Sequence, residues 1–284
     1  DPSVVGLVAA ALARVPVRVL TRHYSNYHTR INRPVHVALD RLCTRLSHRV
    51  IAVSQETADH LVRVERAPRE KVVTIHNGID FERIRASNGD VRNRIREELG
   101  VRDVFLFLVA GRLHPEKGYD VLFEALRGLR SAGKAFCVLV AGQGRLMEHY
   151  KALAAKRGIA DRVRFLGFRR DLPDLMVAAD VFVLPSVAES FGLVLAEALY
   201  LGLPVLASRT GGIPEVIDDG VDGTLVPSGD AQALEDALRS QLDGAVSLSG
   251  QGDLARRKVQ ERFDFKQMLK RYEAVYEQLL ARPS

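Results

Sequence analysis

The sequence predicts an α/β protein of two domains, each a parallel sheet with helices on both faces. Three observations carry that prediction. From residue 17 to residue 242, short apolar runs alternate with amphipathic stretches of helical period, and such alternation builds parallel sheets. Several runs, such as 104–109, are apolar at consecutive positions, as in a strand buried on both faces. The length of 284 residues is also about that of two average domains.

In chain order, 17–21 reads as a strand, 34–48 as a helix and 49–53 as a second strand. Ser54 is placed to cap a helix running to Val64, and 71–75 is a third strand. Asn77-Gly78 is a turn dipeptide and 85–90 is polar, so a hinge is expected at 77–80. The second series has strands at 104–109, 136–141, 163–166, 181–184, 205–207 and 224–226, with helices at 118–130, 146–157, 173–178, 192–200 and 231–242. A last helix at 265–280 carries Phe265, Met268, Leu269, Tyr272, Val275, Tyr276, Leu279 and Leu280 on one apolar face. The expected domains are 1–80, joined by the helix of 265–284, and 81–264.

Composition narrows the function. With 47% hydrophobic and 27% charged residues the chain is globular rather than disordered or fibrous. No apolar run approaches the ~18 residues of a membrane span, and 4–13 lacks the preceding basic region of a signal peptide. Cys43 and Cys137 form neither a disulfide framework nor a metal box, which suits a reducing, cytoplasmic setting. Without Trp or an aromatic ladder, a nucleic-acid partner is not expected. The net charge of +6 is uneven: residues 1–80 hold 12 Lys and Arg against 7 Asp and Glu. Between Arg14 and Arg49 stand eight arginines and one acid, Asp40. That block is either a solvated face or a surface for an anionic partner such as phospholipid headgroups or a phosphorylated substrate.

Ligands of open parallel sheets bind beyond the carboxyl ends of the strands, so the loops there are the places to look. Gly111-Arg112 to Lys117-Gly118 puts two cations on a tight loop entering a helix, suited to a diphosphate. After Pro185-Ser186, Glu189 precedes a helix opened by Gly192, and Glu197 lies about one turn in. Two carboxylates there suit hydroxyls of a ribose or hexose, because an ionised carboxylate accepts two hydrogen bonds from a diol. Gly211-Gly212 before Pro214 permits close backbone approach to a ligand or makes a plain turn. Gly142-Gln-Gly144 is a partial dinucleotide fingerprint with Met147 where the third glycine belongs, which argues against a nicotinamide cofactor.

Asn77-Gly-Ile-Asp80, Gly111-Arg112 to Lys117-Gly118, Pro185-Ser186 to Glu189-Ser-Phe-Gly192, Glu197-Ala198, Gly202-Leu-Pro204-Val205 and Gly211-Gly212-Ile-Pro-Glu215 together resemble glycosyltransferase family 4. These are retaining enzymes that use nucleotide sugars. The resemblance implies the GT-B fold, two Rossmann-like domains facing across a cleft. Family members begin with a strand and a glycine-rich loop not found here, so the first domain is expected to be incomplete. The resemblance assigns Arg112 and Lys117 to the donor diphosphate and Glu197 to the ribose. It assigns Glu189 to the donor sugar, with backbone N–H groups of Phe191, Gly192 and Leu193. It also implies that the loop of Gly167, Phe168, Arg169 and Arg170 reads the base, and that His23 stands near the reacting sugar.

The implied reaction moves a sugar from a UDP- or GDP-linked donor to an acceptor hydroxyl with retention. No metal or other cofactor is expected, since no Asp-x-Asp pair is present. The implied setting is cytoplasmic glycan biosynthesis for the cell envelope or a polysaccharide. A sugar or lipid-linked acceptor is expected, with peripheral contact to an anionic membrane at its inner face. The alternatives are a nucleotide-sugar-binding fragment without catalysis, or a GT-B epimerase or phosphorylase.

Overall fold

The computed structural model describes residues 2–24, 34–87, 89–130, 133–244 and 252–281. They fall into two compact units, residues 1–79 with 263–284, and residues 80–262. Arg30 and Arg33 of the arginine block lie outside the described residues.

The first unit contains α1 (Pro2–Leu12), β1 (Val19–Arg22), α2 (Pro34–Leu46), β2 (Arg49–Ala52), α3 (Gln55–Arg63) and β3 (Val72–Thr74). The strands form a parallel sheet in the order β1-β2-β3. Alternate residues of β2 face opposite ways, as the strand period requires. Val50 and Ala52 pack with Leu7, Leu20, Cys43 and Leu61 on one face. Ile51 packs with Ile75, Val275 and Leu279 on the other. Ser54 caps α3 by accepting the Thr57 N–H at 3.1 Å. β1 starts later than expected because the Arg18 N–H bonds to His48 Nδ1 at 3.0 Å instead of entering the ladder.

The last helix of this unit occupies Phe265–Leu280. Its apolar stripe is wider than the contact it makes. Met268, Tyr272, Val275 and Leu279 meet the sheet, whereas Phe265, Leu269, Tyr276 and Leu280 stay exposed. The second row sits roughly a quarter-turn round the helix at 3.6 residues per turn, beyond the sheet's reach. The Asn77-Gly78 turn meets the start of this helix. A Cβ on Gly78 would lie 2.7 Å from the Phe265 backbone, and the Gly78 N–H points at Met268 Sδ, 3.0 Å away.

The second unit contains α4 (Val91–Glu98), β4 (Phe105–Ala110), α5 (Tyr119–Leu129), β5 (Phe136–Ala141), α6 (Met147–Lys156), β6 (Val163–Gly167), α7 (Leu172–Ala178) and β7 (Val181–Leu184). It continues with α8 (Leu193–Tyr200), β8 (Val205–Arg209), α9 (Ile213–Val216), β9 (Thr224–Pro227), α10 (Ala231–Asp243) and α11 (Gly252–Phe263). All neighbours are parallel and the order is β6-β5-β4-β7-β8-β9. The order reverses between β4 and β7, and an open sheet binds its ligand at such a reversal. An aromatic core of Phe107, Tyr119, Phe123, Phe136 and Tyr150 fixes one face.

Two helices depart from the expected elements. α4 buries little apolar surface, Val91 and Ile95, and is held by charge. Arg96 is buried, donating to the carbonyls of Arg102, Val104 and Ala178 and to Asp180. α11 buries Ala255, Val259 and Phe263, one residue per turn.

In the first unit, Arg22 lies between Asp40 and Glu65, donating to both, with Glu65 Oε2 at 2.8 Å. Both carboxylates are nearly buried. Burial pushes the Glu65 carboxyl up to about 7 against the pull of Arg22. A carboxyl raised in the folded state holds its proton more tightly there than in the unfolded chain. Its contribution to stability is therefore full in acid and is lost as pH climbs from about 4.5 to about 7. Glu65→Gln should flatten the pH dependence of the unfolding free energy across that window, as measured by urea denaturation at a series of pH values. An unchanged slope would refute the shift.

Candidate functional site

Six loops leave the carboxyl ends of the second sheet, and three of them meet at the reversal. The loop after β4 and the loop after β7 are joined by backbone bonds, with the N–H groups of Val187 and Ala188 donating to the Glu116 carbonyl at 2.8 and 3.3 Å. Gly118 stands where they touch. Its φ is 69° and a Cβ there would fall 1.9 Å from the Pro185 carbonyl oxygen. The loop after β8 closes on the same neighbour: Gly212 N–H donates to the Glu189 carbonyl at 3.2 Å. Gly211, at φ 53°, would put a Cβ 1.6 Å from that oxygen.

Of the two readings left open by the sequence, the packing favours the turn: Gly211 and Gly212 admit the backbone of Glu189 and Ser190. The partial dinucleotide fingerprint has a similar explanation. Gly142 and Gly144 face the backbone of Gly111 and Leu113, and Leu113 N–H donates to the Gln143 carbonyl at 3.1 Å.

On this scaffold Lys117 Nζ donates to Glu189 Oε2 at 2.5 Å, with the two side chains 20% and 16% exposed. Ser186, fully buried, adds its hydroxyl to the same oxygen at 3.3 Å. The cation and carboxylate assigned to different parts of one ligand are thus paired with each other. Arg112 is exposed and makes no hydrogen bond or ion pair among the described residues. Glu197 projects from the second turn of α8. Desolvation raises its carboxyl above the ordinary range, and among the described residues it has no hydrogen-bond partner.

Gly192 adopts φ 88° immediately before α8. The first N–H groups of that helix lack intrahelical acceptors and carry its partial positive charge. Phe191 is buried at 2% exposure, which anchors the helix start, while Leu193 is 38% exposed. In the loop after β6 the Arg169 guanidinium is committed to Asp171 through two bonds of 2.7 and 2.5 Å. That pairing raises Arg169 and lowers Asp171. Phe168 beside it is 65% exposed. His23 belongs to the first unit, one residue beyond β1, and is exposed.

The structure therefore gathers Arg112, Lys117, Glu189, Gly192, Leu193 and Glu197 on loops and a helix at the reversal. It leaves Arg169 engaged elsewhere. Ser186 was not among the expected site residues; its place beside Pro185, two residues past β7, was the available signal. Among the described residues no group of three or more His, Cys, Asp or Glu side chains could hold a metal ion. No helix among them is long and apolar enough to cross a membrane.

Residues 91–256 match the family described as Glycosyl transferases group 1, and residues 1–83 match Glycosyltransferase Family 4. The chain belongs to the group 1 glycosyl transferases. It is 38% identical over 237 residues to a D-inositol 3-phosphate glycosyltransferase of Streptomyces coelicolor, covering 75% of this chain and 52% of that protein. The corresponding protein of Saccharomonospora viridis is 41% identical over 202 residues, covering 67% and 46%. The chain thus spans about half the length of these curated relatives. Among solved structures, Anabaena HepE in complex with UDP-glucose superposes with a TM-score of 0.85 at 27% identity, covering 97% of this chain and 76% of that one. WaaG, a glycosyltransferase of lipopolysaccharide biosynthesis, shares the fold with a TM-score of 0.76 at 22% identity, covering 89% and 73%. The two parallel sheets are those of a GT-B glycosyltransferase.

Two glycines separate strain from collision in this group 1 chain. Gly220 has φ 74° with nothing within 4 Å of an added Cβ, whereas Gly211 has φ 53° and the Glu189 carbonyl in the way. Gly220→Ala should cost about 1–2 kcal/mol, the left-handed penalty alone. Gly211→Ala should cost more, because it adds the collision with the Glu189 carbonyl. Urea denaturation of both variants measures this, and equal losses would refute the packing role.

Proposed function

We propose that this chain contains the donor side of a retaining glycosyltransferase, which moves a sugar from a UDP-sugar to an acceptor hydroxyl. The observation that carries the reading is the Lys117–Glu189 pair at the strand-order reversal, flanked by the unengaged Arg112 and Glu197. The UDP and UDP-glucose complexes of Anabaena HepE favour uridine over guanosine. The relatives named D-inositol 3-phosphate glycosyltransferase favour a phosphorylated polyol as acceptor.

Arriving diphosphate competes with Glu189 for Lys117. Once Lys117 turns to phosphate, the Glu189 carboxylate is free to accept hydrogen bonds from the donor sugar. Arg112, Lys117 and the start of α8 stabilise the negative charge of the leaving diphosphate by fixed electrostatics. Glu197 accepts the ribose hydroxyls, which gives its desolvated carboxylate the partners it lacks. The base lies against the backbone beside Phe168 and Arg169. The acceptor attacks the face from which the diphosphate departs, and the departing phosphate takes its proton, so no enzymic nucleophile is assigned. The resemblance to family 4 also assigns His23 to the reacting sugar. No metal is required for charge neutralisation. The reaction belongs to cytoplasmic glycan biosynthesis serving the cell envelope, and the arginine-rich first unit favours acceptors or surfaces that carry negative charge.

Isothermal titration with UDP and UDP-glucose tests this division of labour. Lys117→Ala should weaken UDP binding by roughly tenfold to a hundredfold, the worth of a charged hydrogen bond. Glu197→Ala should weaken UDP and UDP-glucose alike, and Glu189→Ala should remove only the extra affinity that the sugar confers. Unchanged UDP affinity in Lys117→Ala would overturn the diphosphate assignment.

A further inference from the structure

A groove of about 540 Å³ lies in the first unit, between α2 and the loop from α3 to β3. α2 ends at this edge and β3 begins there. The groove is thus toward the amino ends of the parallel strands, the opposite edge from the one where His23 leaves β1. Its lining includes Arg41, Arg45, Arg66 and Lys71 with a single carboxylate, Glu65.

Two of these cations are engaged. Arg41 donates to the Val64 carbonyl at 3.0 Å, and Lys71 donates to the carbonyls of Arg45 and Ser47 at 3.2 and 3.0 Å. The guanidinium groups of Arg45 and Arg66 make no hydrogen bond or ion pair among the described residues, and both residues are exposed. Arg66 is held at φ 58°, a left-handed conformation that a non-glycine residue rarely adopts. Thr44, only 3% exposed, lines the same groove. Its Oγ1 is buried with no partner, and such a hydroxyl is costly unless something meets it. Glu65 opposes an anion weakly, because Arg22 neutralises it and burial raises its carboxyl.

We propose that this groove binds a small phosphorylated molecule, with its phosphate oxygens held by Arg45, Arg66 and the Thr44 hydroxyl. Two guanidinium forks match phosphate geometry, and the volume suits a small molecule. The groove is lined by residues of the first unit, whereas the loops proposed to hold the nucleotide sugar belong to residues 80–262.

Titration calorimetry with inorganic pyrophosphate, in the presence of saturating UDP, tests the proposal. One further equivalent should bind. Combined Arg45→Ala and Arg66→Ala should weaken it about tenfold or more. Thr44→Val should weaken it several-fold while raising the melting temperature in the absence of ligand, because it removes a buried hydroxyl without a partner. Lys117→Ala, whose defect is in the nucleotide loops, should retain it, which separates failure here from failure of the proposed reaction. No pyrophosphate binding under saturating UDP, or equal affinity in the double variant, would overturn the site. So would double-variant-sensitive binding to phosphatidic acid vesicles without any binding of pyrophosphate, which would assign the cations to a lipid surface.

Discussion

Between β4 and β7 the strand order reverses, and right-handed connections then carry the helices that follow these two strands to opposite faces of the sheet. A crevice is left at the carboxyl edge, and its walls have to be loops. Those loops are tied to one another through their backbones. Glu116 carbonyl takes the N–H groups of Val187 and Ala188, and Glu189 carbonyl takes that of Gly212. The approach is so close at Gly118 and Gly211 that no Cβ fits. In the proposed reaction the start of α8, presented from such a frame, needs little reorganisation as charge develops nearby, which is the condition for electrostatic stabilisation to be worth most.

At that edge Lys117 and Glu189 neutralise one another. Lys117 and Glu189 are each mostly buried, and each would face a desolvation cost alone. Paired, they also hold one another in place, with Ser186 fixing the carboxylate from the side. Glu197 is the contrast. Its carboxyl is desolvated with no compensating donor among the described residues, and its raised pKa records that imbalance. The proposed reaction uses the pair for the step in which diphosphate and sugar arrive together, and Glu197 for the nucleoside.

Strands were the most legible part of the sequence. Phe136–Ala141 and Val181–Leu184 lie where their continuous apolar runs put them. Helices were legible where apolar residues recur on one face, and not where charge replaces them. α4 reads as polar because the residue that seats it is Arg96, whose guanidinium donates to three carbonyls and to Asp180. α11 shows one buried residue per turn, too sparse a pattern to stand out. The site's residue types were visible, but their mutual arrangement was not. A lysine and a glutamate 72 positions apart give no sign that they are bonded, and glycine spacing does not reveal whether the close neighbour is a ligand or another loop.

The arginine-rich block also divides in a way that counting charges conceals. Arg22 points inward between Asp40 and Glu65, so one guanidinium faces two carboxylates. Three full charges would leave a net negative charge in a nearly dry place, and protonation of Glu65 removes it. The cluster ties the carboxyl end of β1 to α2 and to the segment after α3. It therefore fixes the backbone at the residue immediately before His23. Arg45 and Arg66 point outward and have no such partner. Within one unit, then, the buried arginine sets the position of a chain end, while the exposed ones remain available to an anion. Which of these an arginine does is decided by whether a carboxylate is within reach on a neighbouring element, and that depends on the sheet order rather than on the local sequence.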